Sequence, residues 1–391
     1  MTTVVLLGTL DTKGHEYAYL RDRLREHGVD VLLVDAGVRE PLVEPDLTVP
    51  RAPYGDRGAA VEEMARGAEE LVRRLHDEGR LDGILALGGS GGTSIAAQAM
   101  RGLPVGVPKL IVSTMASGDT RPYVGAVDVT MTYSVVDIAG INEVSARILS
   151  NAAAAIAGMA SAEPPHVESG KPLIAASMFG VTTPCVTAAR ERLEELGYEV
   201  LVFHATGTGG QSMEALMRGG FIAGVLDITT TELADDLVGG VLSAGPDRLE
   251  AAGQLGLPQV VSLGALDMVN FGPRDSVPER FRDRRFYEHN PTVTLMRTTP
   301  DECAELGRRI ARKLNAARGP VTLFVPLRGV SMIAVEGQPF HDPKADEALV
   351  SSLREELDPS VDVRELDTDI NDPDFAEAMA ERLHELVGVR V

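Results

Sequence analysis

The sequence predicts an α/β protein of two doubly wound, mostly parallel-sheet, Rossmann-like domains, and three observations predict it. Short apolar runs alternate with amphipathic stretches of helical spacing along the whole chain, the pattern of parallel strands joined by crossover helices. Glycine- and hydroxyl-rich segments fall at the downstream ends of those runs, where doubly wound folds collect their ligands. The pattern Gly-Ser/Thr-Gly-Gly-x-Ser occurs twice, as Gly89-Ser-Gly-Gly-Thr-Ser94 and Gly207-Thr-Gly-Gly-Gln-Ser212, each after an apolar run and before a helical stretch. Two such loops in matching contexts suggest two similar halves. A chain of 391 residues exceeds one ordinary core. The expected domains are 1–165 and 171–391, with a linker over 161–170 that carries Pro164 and Pro165.

In the first half, residues 4–7 read as a strand that runs into Gly8-Thr-Leu-Asp-Thr-Lys-Gly14 and then a helix over 15–27. Residues 29–34 are a second strand between Gly28 and Asp35. Pro41, Pro45, Pro50 and Pro53 make 38–57 an extended connection. Ala59, Val61, Met64, Ala68, Leu71 and Leu75 give 58–77 a helical face. Residues 84–87 form the strand before the first glycine loop, and an Ala-rich helix follows it. Residues 107–112 are a strand ending in Ser113-Thr-Met-Ala-Ser-Gly-Asp119, 126–132 another, and 142–159 a long helix of small residues.

The second half repeats the alternation. A strand at 172–177 turns through Met178–Cys185 into a helix ending near Gly197, and 199–203 leads to the second glycine loop. A strand at 221–226 ends in Asp227-Ile-Thr-Thr-Thr-Glu232; a helix at 248–253 and a strand at 259–262 lead to Gly264-Ala-Leu-Asp267. Residues 272–295, charged and without apolar periodicity, read as loop. A helix at 301–317, a strand at 321–325, a turn at 326–331, a helix at 345–357, a strand at 361–365 and a helix at 373–387 complete the chain.

Composition excludes several functions. A net charge of −21 and 4% aromatic residues without Trp argue against nucleic acid, which needs a basic face or a stacking platform. A bound phosphate must therefore be held locally. Two cysteines exclude a disulfide scaffold and suit a reducing cytoplasm, and no apolar run reaches membrane-spanning length. No Cys-x-x-Cys or His-Glu-x-x-His element points to zinc.

Glycines at a strand-to-helix turn let a ligand approach the backbone, and the helix start adds its positive dipole end. Gly88, Gly89, Ser90, Gly91, Gly92 and Thr93 are thus a candidate phosphate cradle, although Ser94 stands where a dinucleotide fingerprint has its third glycine. Gly8, Thr9, Asp11, Thr12 and Lys13 offer hydroxyls, a carboxylate for a ribose or magnesium, and an ammonium for phosphate; helix capping by Asp11 or Thr12 is the competing role. Ser113, Thr114 and Gly118 would complete the pocket, and Asp119 with Asp11 would ligate Mg²⁺. Cys185 near a helix start and His204 before the second loop are a candidate nucleophile and base, against an inert buried cysteine. Thr206, Gly207, Thr208, Gly209 and Gly210, with Asp227, Glu232 and Asp267, would hold a second, oxygen-rich small-molecule metabolite in an interdomain cleft. The arginines at 274, 280, 282, 284 and 285 could grip an acidic ligand or a partner subunit, but read better as a solvated face, since Asp275, Glu279 and Asp283 interleave with them.

Together, Gly8-Thr-Leu-Asp-Thr-Lys-Gly14, Gly88-Gly-Ser-Gly-Gly-Thr93, Ser113–Asp119 and Phe179-Gly-Val-Thr-Thr-Pro-Cys185 resemble the ATP-binding family of the tomato mosaic virus resistance protein, in its stand-alone bacterial form. The resemblance spans nearly the whole chain. It implies a two-domain homodimer with ATP and Mg²⁺ on the N-terminal half. Three functions follow as expectations: an ATP-dependent enzyme of phosphoryl transfer or ligation; a nucleotide-gated binding protein without turnover, as the plant relative's binding of a viral replication protein suggests; and a hydrolase or carbon–carbon lyase using Cys185 and His204.

Overall fold

The computed structural model describes residues 2–51, 57–163 and 170–388, and the chain divides at residue 167 into two compact units. Pro53 and the proposed linker prolines Pro164 and Pro165 lie outside the described residues. Each unit is an α/β layered body around its own parallel sheet.

The first unit runs β1 (Thr3–Gly8), α1 (Leu10–Glu26), β2 (Asp30–Asp35), β3 (Leu47–Thr48), α2 (Arg57–Asp77), β4 (Gly83–Gly88), α3 (Ser90–Arg101), β5 (Lys109–Ser113), α4 (Arg121–Val124), β6 (Thr130–Tyr133) and α5 (Glu143–Ser161). Its six strands are all parallel, in the order β3-β2-β1-β4-β5-β6. Alternation along β1 explains the layering. Val5 and Leu7 pack on the side of α2 and α3, and Val4 and Leu6 on the side of α1 and α5. Each such side chain contributes roughly 1.5–3 kcal/mol by leaving water.

In the second unit, β7 (Leu173–Met178), α6 (Thr183–Glu195), β8 (Glu199–His204), α7 (Thr208–Arg218), β9 (Gly224–Thr229), α8 (Glu232–Val238), α9 (Ala251–Leu255) and β10 (Gln259–Gly264) come first. Then follow β11 (Met268–Phe271), β12 (Phe286–Asn290), β13 (Val293–Arg297), α10 (Pro300–Asn315), β14 (Val321–Pro326), α11 (Pro343–Glu356), β15 (Asp362–Leu366) and α12 (Pro373–Gly388). The main sheet is parallel in the order β15-β14-β10-β9-β7-β8.

Two expectations change. Residues 286–290 and 293–295 of the stretch read as loop, 272–295, belong to a small antiparallel sheet ordered β11-β13-β12. Its buried central strand is β13, whereas β12 is largely exposed, so its charged residues face solvent and hide the strand pattern. The two sheets also reverse at different places. The first turns outward in both directions from β1 and β4, the second from β7 and β9. The glycine loop at 88–92 therefore leaves a strand at the reversal point, whereas the loop at 207–210 leaves β8, an edge strand. The two loops are not equivalent.

Candidate functional site

In a doubly wound sheet the crevice opens where strand order reverses. Between β1 and β4 that crevice is a cavity of about 510 Å³, lined by the segments after β1, β2 and β4 and by the start of α2. The ladder joining the strands ends at Leu7 and Ala86. Beyond it the buried Tyr17 hydroxyl stands between the chains, donating toward the carbonyls of Leu7 (2.6 Å) and Leu87 (2.9 Å) and accepting from the Leu87 amide (2.9 Å). Burial drives its pKa upward, so the phenol stays protonated.

Gly88 is required by packing: a Cβ there would stand 3.0 Å from the Gly92 backbone. Gly89, Gly91 and Gly92 are different. The nearest atoms to a Cβ at these positions lie 3.8, 4.0 and 3.5 Å away, and none of the three has a positive φ. Nothing among the described residues demands glycine there, although glycine weakens a helix interior by roughly 0.5–1 kcal/mol relative to alanine. No side chain caps α3. The amides of Ser90, Gly91 and Gly92 find no acceptor among the described residues, and the first bond, from Thr93 N, closes on Gly89 O at 2.9 Å. These amides sit where the macrodipole is positive.

The loop after β1 faces this turn. A Cβ on Gly92 would lie 4.0 Å from Thr9 Oγ1. Thr9 and Thr12 share a hydroxyl contact of 3.1 Å, and both line the cavity with Asp11 and Lys13. The Lys13 ammonium donates to the carbonyl of Ile138, a neutral partner, and makes no ion pair among the described residues. Gly8 lines no part of the cavity; it is glycine because the Tyr17 ring fills the space a side chain would take.

Sequence reasoning missed the contribution of β2. Ala36, Val38, Ala60, Val61 and Ile95 give the cavity an aliphatic wall, and Arg39 joins the lining. Asp35, at the end of β2, accepts the amides of Leu10 (3.1 Å) and Gly37 (2.8 Å) through Oδ1. Burial raises its pKa, the two amides oppose the rise, and Asp11 adds to it. The available signal was positional: a carboxylate at the end of a strand next to the reversal point.

The remaining first-half candidates are not among the residues lining the cavity, although Thr114 Oγ1 lies 3.8 Å from where a Cβ on Gly89 would stand, beside the cradle. Thr93 and Ser113 bond to each other (2.7 Å) inside the protein, and Ser113 Oγ accepts the Met115 amide. Thr114 N bonds across to Gly88 O at the end of the β4–β5 ladder, and Gly118 N closes a turn on Met115 O. Asp119 is an exposed partner of Arg121, which donates at 2.9 and 2.7 Å and holds its pKa at about 2. It is not among the residues lining the cavity that holds Asp11. Among the described residues no group of three or more His, Cys, Asp or Glu is placed to hold a metal ion.

In the second unit the expected ligand loop is occupied by the protein itself. Glu232 Oε1 accepts the amides of Gly207 (2.7 Å) and Gly210 (3.1 Å). Its other oxygen receives Nε of the buried Arg248 at 2.6 Å, and Asp227 takes the remaining guanidinium fork at 2.5 and 2.7 Å. Side chains on Gly209 or Gly210 would overlap His204 O or the Glu232 carboxylate. Thr206 and Thr208 are exposed, and the Thr206 hydroxyl bonds back to His204 O. Asp227 and Glu232 thus anchor an arginine instead of a metabolite. Asp267 is buried against Ser331 Oγ (2.8 Å), and burial raises its pKa to about 6.

The expected nucleophile and base do not form a pair. Cys185 is buried in the apolar layer between β7 and α12, and burial together with Asp369 pushes its thiol upward. His204 is exposed at the end of β8. The helix start that was expected to favour a thiolate is outweighed by desolvation.

Residues 2–165 match the N-terminal domain, and residues 171–387 the C-terminal domain, of an uncharacterised protein family, UPF0261. A UPF0261 protein of Clostridium tetani is 52% identical over 394 residues, covering 97% of this chain and 98% of its own. The ToMV resistance protein Tm-1(GCR237) of Solanum lycopersicum is 48% identical over 337 residues, which cover 84% of this chain and 45% of the tomato protein. Among solved structures, the UDP-GlcNAc 2-epimerase of Neisseria meningitidis is 11% identical, with a TM-score of 0.27, over 91% of this chain and 100% of its own.

Proposed function

This chain belongs to the uncharacterised protein family UPF0261, and on that premise we propose that its N-terminal unit binds a nucleoside triphosphate, ATP with Mg²⁺, in the crevice between β1 and β4. The observation that carries the reading is the cradle at Gly89–Gly92. Three amides point from an uncapped helix start, and the glycines beside them have no internal reason to lack side chains. Such a turn attracts phosphate oxygens without a bulk positive field, as a protein of net charge −21 requires. Lys13 adds a cation, and the aliphatic wall gives a base an apolar face.

Magnesium fits this site only as the companion of the ligand's phosphates. Asp11 is the one carboxylate among the described residues lining the cavity, and a hard cation that keeps its water and phosphate ligands needs no more from a protein. The lining supplies positioning and charge, which favours a nucleotide-gated binding protein over a catalyst; the name of the tomato relative as a resistance protein agrees with that reading. The buried, free cysteines suit a cytoplasmic setting. No helix among the described residues is long and apolar enough to cross a membrane.

Calorimetric titration of ATP and Mg²⁺ into wild type and a Gly91→Val variant tests the proposal. The nearest atom to a Cβ at Gly91 is 4.0 Å away, so valine fits the fold while filling the cradle. Binding by wild type and its loss in the variant are expected; equal affinities overturn the assignment.

A further inference from the structure

We propose that the end of the cavity away from the glycine cradle reads a ribose, through the Asp11 carboxylate with Asp35 positioned behind it, so that the site selects ribonucleotides over deoxyribonucleotides. This rests on the nucleotide reading above and adds which sugar the site accepts.

The strand order separates the two ends of the site. Phosphates held at the β1–β4 crevice leave the rest of the ligand to run over the end of β2, the next strand, about 4.8 Å further along the sheet. Ala36, Val38 and Arg39 lie there, and so does Asp11, which reaches across from the segment after β1. Asp11 Oδ2 accepts the Arg39 amide at 3.2 Å, which fixes the carboxylate. Its Oδ1 has no hydrogen-bond partner among the described residues, although it is withdrawn from water. A carboxylate oxygen can only accept, and an unfilled buried acceptor costs roughly 1–3 kcal/mol. The hydroxyls of a ribose are donors of the required kind.

Asp35 explains why the acceptor stays fixed. It is completely buried, Oδ1 is clamped by the amides of Leu10 and Gly37, and Oδ2 likewise lacks a hydrogen bond among the described residues, with Arg51 3.9 Å away. The two carboxylates close on Gly37 from opposite residues. A Cβ at that position would stand 2.7 Å from Asp11 Oδ1 and 2.9 Å from Asp35 Oδ1. Glycine at 37 therefore lets two acids crowd one end of the cavity, an arrangement with acceptors in excess and donors missing. Asp35 is a positioning residue; Asp11 is the group that touches the sugar.

The test uses the whole chain and Mg²⁺ with ATP, 2′-deoxy-ATP and 2′,3′-dideoxy-ATP, compared by calorimetry. A hydrogen bond to a charged acceptor predicts that removing the hydroxyls weakens binding to wild type tenfold or more. In Asp11→Asn the ratio between ATP and the dideoxy ligand should fall below about threefold, whatever change in affinity the two ligands share. Asp35→Asn should narrow the same ratio without abolishing binding, with circular dichroism verifying the fold. Equal binding of all three ligands to wild type overturns the sugar assignment and leaves the nucleotide reading intact. Full discrimination retained in Asp11→Asn overturns the role of Asp11. Failure of every ligand to bind overturns both readings.

Discussion

The ring of Tyr17 lies in the volume a side chain on Gly8 would occupy, and from there its hydroxyl joins Leu7 to Leu87 across the gap between β1 and β4. The contact makes the crevice a built feature. A glycine at the end of one strand admits an aromatic residue from the following helix, whose single polar atom replaces the missing rungs of the ladder. Gly8→Ala must expel that ring. It is expected to cost about 3 kcal/mol or more, whereas Tyr17→Phe, which keeps the ring and strands the backbone groups of Leu7 and Leu87, should cost about 1–3 kcal/mol. Urea unfolding of both variants checks this; an alanine variant as stable as wild type would contradict the packing.

Arg248 is enclosed by Asp227 and Glu232, with Glu214 3.9 Å away. Arg248→Met removes the cation and leaves three acids buried together. A loss of about 3–5 kcal/mol follows from the uncompensated charge. Because protonation relieves that repulsion, the deficit should shrink between pH 7.5 and pH 5. Denaturant midpoints at the two pH values decide the matter, and a deficit that grows on acidification would refute it.

Asp235 is buried, accepting from Asn270 Nδ2 at 2.6 Å, and burial raises its pKa from 3.8 to about 7. The native state therefore binds a proton that the unfolded chain has released between pH 4 and pH 7. By linkage, this contribution is complete below the unfolded pKa and is lost as pH rises through the folded value. Asp235→Asn should flatten the decline in stability from pH 5 to pH 7.5. Once the Asn270 side-chain amide turns over, the substituted amide can donate to its Oδ1, which has no hydrogen-bond partner among the described residues. Identical pH profiles for the two proteins would exclude Asp235 as the source.

Both cysteines are free and buried, and burial raises the Cys303 thiol to about 11. A thiol-specific chromogenic disulfide should find no reactive group in the folded chain and both after denaturation. Rapid labelling of Cys185 under native conditions would reopen the nucleophile reading.

The parallel layers were legible because local pattern carries them: Val4–Leu7 and Ile84–Leu87 read as buried strands from their own residues. That residues 9–13 and 88–92 border one cavity was legible because the end of a strand fixes which side of a sheet its loop joins. Strand order was not legible, since no local residue states whether β8 lies at an edge. The capture of Gly207 by Glu232 depends on that order and spans 25 residues. Asp35 went unread for a related reason: an acid closing a strand looks the same whether it meets solvent or the back of a cavity. Residues 286–297 were misread because β12 shows its charges to solvent and conceals its pairing with β13.

Glu232 behaves toward its own loop as a tethered counterion would, and this bears on how short glycine words are compared between proteins. Transplanting residues 89–94 in place of 207–212 would deliver the same amides to a position where a carboxylate from the same chain already competes for them. The hybrid should ignore nucleotides however faithful the copied hexapeptide. Lineage or shared activity inferred from such a word alone carries little weight until the anion it faces has been identified.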